Sequence, residues 1–272
     1  MNKNQCILPV IAIFDSGTGG LSIYKKIKKY IPHAQYIYIL DNEGFPYGKR
    51  SKEFIFNRVI KIITNIHRLY TIDLTILACN TASIVALPYL KNKLLDPIIG
   101  VTPEINLAMS YTKNKVIGFL GTSVTINNFP LFQSQSNNIK IITLDAHKLI
   151  LLSEKKMLGE YISFEAIHDF FLPFIQHSPI PDTIILGCTH LSLLIPEIIK
   201  IFPKKIKLID SRKNITDQSH LLLSKILRYS RITKSMPGIA YYTNRKILLK
   251  SLHKILNFYN FKVLKFMNIS YS

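Results

Sequence analysis

The chain has 272 residues, 48% of them hydrophobic, which is enough for about two ordinary domains with their own cores and excludes a disordered protein. No apolar stretch reaches the ~20 residues of a membrane helix, so no membrane partner is expected. Lysine and arginine total 35 against 16 acidic residues, a formal charge of +19. The basic residues are scattered among many Ile and Asn, as drift toward AT-rich codons produces, and nucleic acid is not an expected partner.

The opening MNKNQCILPVIAIFD resembles a signal peptide until its apolar run stops at Asp15 without a small-residue cleavage pattern, so residues 9–14 read as a first strand. Cys6, Cys79 and Cys188 are too irregularly spaced for a disulfide framework and imply a cytoplasmic protein with reduced thiols. Helix is expected over 21–31 and strand over 34–40. Ile55, Val59, Ile62, Ile63, Ile66 and Leu69 recur at helical spacing and mark an amphipathic helix over 52–70. A strand over 74–78, a helix from Thr81 to about Lys93 and a strand over 97–101 follow. Unalternating apolar strands separated by helices predict parallel sheets covered on both faces. Beyond Asp217 no acidic residue occurs, and Lys225, Arg228, Arg231 and Lys234 form a basic periodicity that reads best as a solvated helix face.

The chain repeats itself. DLTILACNT (73–81) aligns with DTIILGCTH (182–190), each with a cysteine six positions after its aspartate. VIAIFDSGT (10–18) aligns with VIGFLGTSV (116–124), PIIGV (97–101) with IKLID (206–210), and Pro88 and Pro196 fall at similar distances past the cysteines. Several matches in one order predict two related α/β halves, with Cys188 the counterpart of Cys79. A buried structural cysteine is the ordinary reading of an apolar strand that ends in Cys, but the duplication argues against it.

In open α/β sheets ligands bind at the carboxyl ends of strands. Two halves packed face to face would place the cysteines on opposite sides of one cleft. A helix starting after Cys79 is expected to lower its thiol pKa. No CxxC suggests a redox pair, and Cys188 with His190 lacks zinc-site spacing, so no metal is expected. Two opposed acid/base groups fit a reaction that removes a proton from one face of a carbon and returns it to the other, as in racemisation or epimerisation. The loop DSGTGGLS (15–22) lacks a P-loop GK[ST]; it reads as a tight turn that uses Gly17, Gly19 and Gly20 for unusual backbone angles and presents Asp15 and Ser16 to a small ligand.

Four segments, FDSGTGGLS, DNEGFPYGKRS (41–51), ACNTAS and LGCTHLSLL (186–194), resemble the signatures of glutamate racemase in order and spacing, and KLIDS (207–211) and YYT (241–243) extend the resemblance through nearly the whole chain. The resemblance implies two pseudo-symmetric, doubly wound α/β domains with mainly parallel sheets, one of residues 1–100 plus 212–272 and one of 101–211, with the active site in the interdomain cleft. It implies a cofactor-independent enzyme that supplies D-glutamate for peptidoglycan synthesis. Cys79 would take the proton from D-glutamate and Cys188 from L-glutamate. Asp15, Ser16, Tyr47, Gly48, Asn80, Thr81, Thr189 and His190 match substrate-contacting positions, and Thr122 sits where the family uses a threonine near the substrate. Asp15 would face the ammonium group, and Asp15 and His190 would assist the thiols. The partner implied is glutamate itself; monomer and homodimer both stay open.

Three features depart from the family: Leu191 and Ser192 replace an aromatic residue and a proline, and Val124 stands where glycine is usual, with an expected effect on the backbone near the substrate. An aspartate racemase is the rival enzyme, although those enzymes tend to carry glutamate where His190 stands. Some glutamate racemases also inhibit DNA gyrase, which is the rival binding role.

Overall fold

A computed structural model describes residues 8–128, 138–202, 204–229, 236–245 and 249–269. Cys6 and the end of the basic periodicity, including Arg231 and Lys234, lie outside them, as do the side chains of Lys225 and Arg228.

The elements follow in the order β1 (Val10–Asp15), α1 (Leu21–Tyr30), β2 (Gln35–Leu40), α2 (Lys52–Leu69), β3 (Leu74–Leu77), α3 (Asn80–Lys93), β4 (Ile98–Gly100) and α4 (Ile105–Tyr111). Then come β5 (Val116–Gly121), α5 (Ser123–Asn128), β6 (Lys140–Asp145), α6 (His147–Met157), α7 (Phe164–Phe170), α8 (Leu172–Ile175), β7 (Thr183–Leu186), α9 (Ile195–Ile201) and β8 (Lys207–Ile209). The chain closes with α10 (Arg212–Tyr229), β9 (Gly238–Tyr242), α11 (Leu249–Phe258) and β10 (Phe261–Phe266).

Two all-parallel sheets result, one in the order β10-β9-β2-β1-β3-β4 and one in the order β6-β5-β7-β8. The order β2-β1-β3-β4 in the first is the order β6-β5-β7-β8 in the second, so the internal repeat is a repeat of topology. Two C-terminal strands extend the first sheet beside β2. The duplicated aspartates explain part of the sequence match. Asp73 accepts from the backbone N–H of Val10 at 2.7 Å, where β1 begins. Asp182 accepts from the N–H groups of Lys113 and Asn114 at 2.8 and 2.9 Å, just before β5.

Successive strand side chains point to opposite faces. In β1, Ile11 and Ile13 pack with Leu21, Ile23 and Ile27 of α1, while Ala12 and Phe14 pack with Ile55, Val59 and Ile62 of α2. Each such isoleucine or valine, fully buried, contributes roughly 1.5–3 kcal/mol relative to exposure. Ser51 caps α2 by accepting from Phe54 N at 3.1 Å. In the second sheet, Leu120, Ile184 and Leu186 face α6, α7 and α9, and Ile117, Phe119 and Ile185 face α4. The halves are not identical. After Cys79 an α-helix starts at once and holds Pro88 in its interior, whereas after Cys188 a 3₁₀ turn (Thr189–Leu194) precedes α9 and Pro196 falls in the first turn of that helix. The two prolines therefore have different roles.

Candidate active site

Each half delivers its cysteine by the same device. Beyond β3, Ala78 N donates to Phe14 O at 2.7 Å, and beyond β7, Gly187 N donates to Leu120 O at 2.7 Å. A Cβ on Gly187 would stand 2.7 Å from that same carbonyl, which explains the small residue before Cys188. The next residue in each half is the cysteine, extended in backbone and followed by a helical turn. Both thiols are free.

Each thiol has a polar neighbour. Ser16 Oγ lies 3.7 Å from Cys79 Sγ, and His190 Nδ1 lies 3.8 Å from Cys188 Sγ. Burial pushes the Cys79 thiol pKa up, and the charge on Asp15 pushes it further; the bonds from the Ala82 N–H, in the first turn of α3, and from Ser16 lower it without offsetting this. The expected lowering by the helix is thus corrected, because desolvation outweighs a helix terminus. Cys79 is close enough to Cys188 for a charge there to raise it as well.

Residues of the two sheets meet around the thiols. Asp15, at the end of β1, is fully buried; its Oδ1 accepts from Gly17 N (3.1 Å) and its Oδ2 from Thr189 Oγ1 (2.9 Å). Burial raises the Asp15 pKa against the lowering effects of His190, Gly17 and Thr189. His190 Nε2 lies 2.9 Å from Glu154 Oε2, which also accepts from Thr18 N (3.1 Å) and Thr18 Oγ1 (2.7 Å). Burial works against a charged imidazole, yet Cys188 and Glu154 together hold the His190 pKa well above its usual value. The Glu154 carboxyl is lowered, since its hydrogen bond and charge pairing with His190 and its bonds from Thr18 outweigh desolvation.

The remaining expected residues fall in the same region. Thr81, Thr122 and Thr125 form a triangle of hydroxyls with separations of 3.0, 3.0 and 3.4 Å. Gly48 packs so tightly on Thr122 that a Cβ would lie 2.9 Å from its methyl. Tyr47 is buried and its hydroxyl donates to Asp41 Oδ2 at 2.6 Å. Asn80 is buried with neither amide atom hydrogen-bonded, so both are available to a polar ligand.

The glycine-rich loop calls for a correction. Gly17, Gly19 and Gly20 do not adopt left-handed backbone angles; among the described residues only Gly159 does so among glycines. They provide space instead: a Cβ on Gly17 would stand 2.5 Å from His190 Nε2, and one on Gly19 would stand 2.7 Å from His190 N. The departures are also accommodated. Val124 lies within α5 and packs on the first core, Leu191 is fully buried in the second, and Ser192 Oγ donates to Thr189 O (2.8 Å) and lies 3.0 Å from Ser22 Oγ. Among the described residues no group of three or more His, Cys, Asp or Glu could hold a metal ion.

No protein-family model matches the chain. A glutamate racemase of Buchnera aphidicola subsp. Acyrthosiphon pisum (strain 5A) is 43% identical over 266 residues, covering 95% of this chain and 99% of that protein. This chain belongs to the glutamate racemase family. A Salmonella enteritidis PT4 glutamate racemase is 36% identical over 260 residues, covering 94% and 91% of the two chains. The crystal structure of Escherichia coli glutamate racemase with L-glutamate and the activator UDP-MurNAc-ala superimposes with a TM-score of 0.87 at 33% identity, covering 97% of this chain and all of that one. A glutamate racemase isoform from Bacillus anthracis gives 0.78 at 25% identity, covering 96% and 97%. The chain is thus an isomerase, a glutamate racemase with two parallel-sheet α/β units, as its four signature segments implied. No described helix is long and apolar enough to cross a membrane.

Within this racemase, four residues of the site region lie outside the set expected from sequence: Glu154, Thr18, Asp41 and Arg58. Thr18 and Asp41 belong to quoted signature segments, and Arg58 falls on the apolar face of α2 between Ile55 and Ile62. Glu154, flanked by Ser153 and two lysines, carries no such signal.

Proposed function

We propose that the racemase acts through Cys79 and Cys188 as paired acid and base on opposite faces of the glutamate α-carbon. The observation that carries this reading is that topologically equivalent strands end in the two free thiols, each with its own polar partner. With D-glutamate, Cys79 as thiolate removes the α-proton and Cys188 as thiol protonates the opposite face; with L-glutamate the roles exchange. Buried Asp15 suits the substrate ammonium, whose positive charge would in turn favour the Cys79 thiolate. Asn80, Thr81, Thr122 and Thr189, with Ser16 and the Tyr47-Gly48 turn, supply amide, hydroxyl and N–H groups for the carboxylates. His190 is placed to exchange a proton with Cys188.

Two thiols already provide base and acid, so the mechanism calls on no cofactor. The domains we assign are 1–100 plus 212–272 and 101–211, supported by the pairing of β9 with β2, and the site lies between them. The product D-glutamate would serve peptidoglycan synthesis in the cytoplasm. Circular dichroism of L- and D-glutamate, and separately L-aspartate, incubated with dialysed, chelator-treated protein tests the reading. Interconversion of both glutamate enantiomers is expected; activity that appears only on adding pyridoxal phosphate or a metal would overturn the mechanism.

A further inference from the structure

Helix α2 turns an apolar face toward the first sheet, and one position on that face is charged. Arg58 is 1% exposed, among Ile55, Val59 and Ile62. Its Nε and Nη2 donate to Asp41 Oδ2 and Oδ1 at 2.6 and 2.7 Å, a bidentate pair in which the carboxylate is also fully buried. Nη2 also reaches half-exposed Glu43 at 2.6 Å. A buried ion pair is weak ground for stability, since apolar residues of similar volume often serve as well. Its position relative to the site offers a different reason for it.

The same Asp41 Oδ2 accepts from the Tyr47 hydroxyl at 2.6 Å, and Oδ1 accepts from Thr243 Oγ1 at 2.7 Å. The carboxylate therefore joins the end of β2, the end of β9, α2 and the turn that carries Tyr47 and Gly48. That turn is packed without slack: a Cβ on Gly44 would lie 2.5 Å from Asp41 Oδ2 and 2.7 Å from Tyr47 Cε1. On its far side, Gly48 lies against Thr122 of the other half. A rotation of the Asp41 carboxylate would move the Tyr47 hydroxyl, and with it the backbone facing Thr122.

We infer that Arg58 is a positioning residue for the racemase reaction: its guanidinium fixes the Asp41 carboxylate that anchors Tyr47, and so sets where the Tyr47-Gly48 turn meets the substrate. This rests on the reading of Tyr47 and Gly48 as substrate contacts. The planar fork of arginine satisfies both carboxylate oxygens at once, which a lysine ammonium does not.

The test compares Tyr47→Phe, Arg58→Lys and their double variant, each checked for native circular dichroism before KM and kcat are measured with L-glutamate. Tyr47→Phe and Arg58→Lys should each raise KM by roughly tenfold with kcat nearly unchanged, as loss of a binding contact does. The double variant should be no worse than the poorer single one, because both act through one carboxylate. A purely structural Arg58 would lower the active fraction, and hence apparent kcat, with KM unchanged; that result, or additive KM effects, overturns the inference. A wild-type KM in Tyr47→Phe also overturns the inference, since that variant removes the bond to Asp41, whereas a wild-type KM in Gly48→Ala, whose methyl would stand 2.9 Å from that of Thr122, overturns instead the placing of the turn in the site. Asp41→Leu/Arg58→Met removes the pair without leaving a buried charge, since Glu43, which loses Arg58, is half exposed. It should match Tyr47→Phe in KM, and a wild-type KM there also overturns the inference.

Discussion

Thr189 Oγ1 donates to Asp15 Oδ2 at 2.9 Å, a bond between the end of β1 and the turn beyond β7, with both partners buried. It joins the two halves beside the thiols. Thr189→Val keeps the shape and removes the donor, leaving a buried carboxylate oxygen short of a partner at a cost of about 1–3 kcal/mol. Urea unfolding should show that loss, and Thr189→Ser should recover most of it. Equal stability in all three proteins would mean that the bond holds nothing together.

The His190–Glu154 pair sets a pH window. The His190 pKa is raised in the folded protein, so its contribution is full below the ordinary imidazole value and is lost as pH rises through the raised one. The Glu154 pKa is lowered, so its contribution is present above the ordinary carboxyl value and is lost as pH falls through the lowered one. Glu154→Gln should therefore destabilise most in mildly acidic solution, between the ordinary carboxyl and imidazole values, by about 1–3 kcal/mol, and least at the two extremes. Melting temperature against pH checks this. The His190 ring resonance should also titrate at lower pH in the variant; an unmoved titration would show that Glu154 does not charge the imidazole.

Much of this arrangement is legible in the sequence because the duplication is written in it. Asp73 and Asp182, Ala78 and Gly187, and Cys79 and Cys188 occupy matched positions since each pair has one structural task. Period and spacing locate α2 and the four strands of the first hundred residues to within a residue or two. What is not legible depends on contacts between residues distant in sequence, several of them between the halves. Glu154 looks like a solvated helix residue beside two lysines, and only the approach of Thr18 and His190 makes it a partly buried acceptor. The glycines of the loop invite a dihedral explanation, and only the position of His190 shows that the constraint is space. The Cys79 pKa departs from the sequence expectation for a related reason: a helix start is visible in a sequence, whereas burial is not.

Gly17→Ala and Gly19→Ala test the space argument. The new methyl would meet His190 Nε2 at 2.5 Å in the first and His190 N at 2.7 Å in the second. The imidazole can swing aside but the backbone cannot, so Gly19→Ala should be the more damaging. Overpacking of this kind costs roughly 1–3 kcal/mol. Both variants should lose racemisation more than they lose secondary structure, as read by circular dichroism. Wild-type turnover in Gly19→Ala would show that the loop has slack there.

The sharpest prediction separates the two thiols. On the proposed mechanism, racemisation in either direction needs one cysteine as thiolate and the other as thiol, so Cys79→Ser and Cys188→Ser should each lose it almost entirely. A serine hydroxyl is too weak an acid to become the base, although it can still relay a proton. A glutamate analogue with a good leaving group on its β-carbon changes the requirement, because abstraction of the α-proton is then followed by departure of that group and no second proton is needed. Only the base on the correct face has to act, within hydrogen-bond reach of the proton it removes. Cys188→Ser should therefore retain elimination from the D-analogue through Cys79, and Cys79→Ser from the L-analogue through Cys188. The Cys79 thiol is held high by burial and by Asp15, so elimination of the D-analogue should rise with pH in Cys188→Ser. Rates for each enantiomer with each variant decide the matter. The same enantiomer preference in both variants would refute the assignment of faces, and full racemisation in either would remove the two-base mechanism.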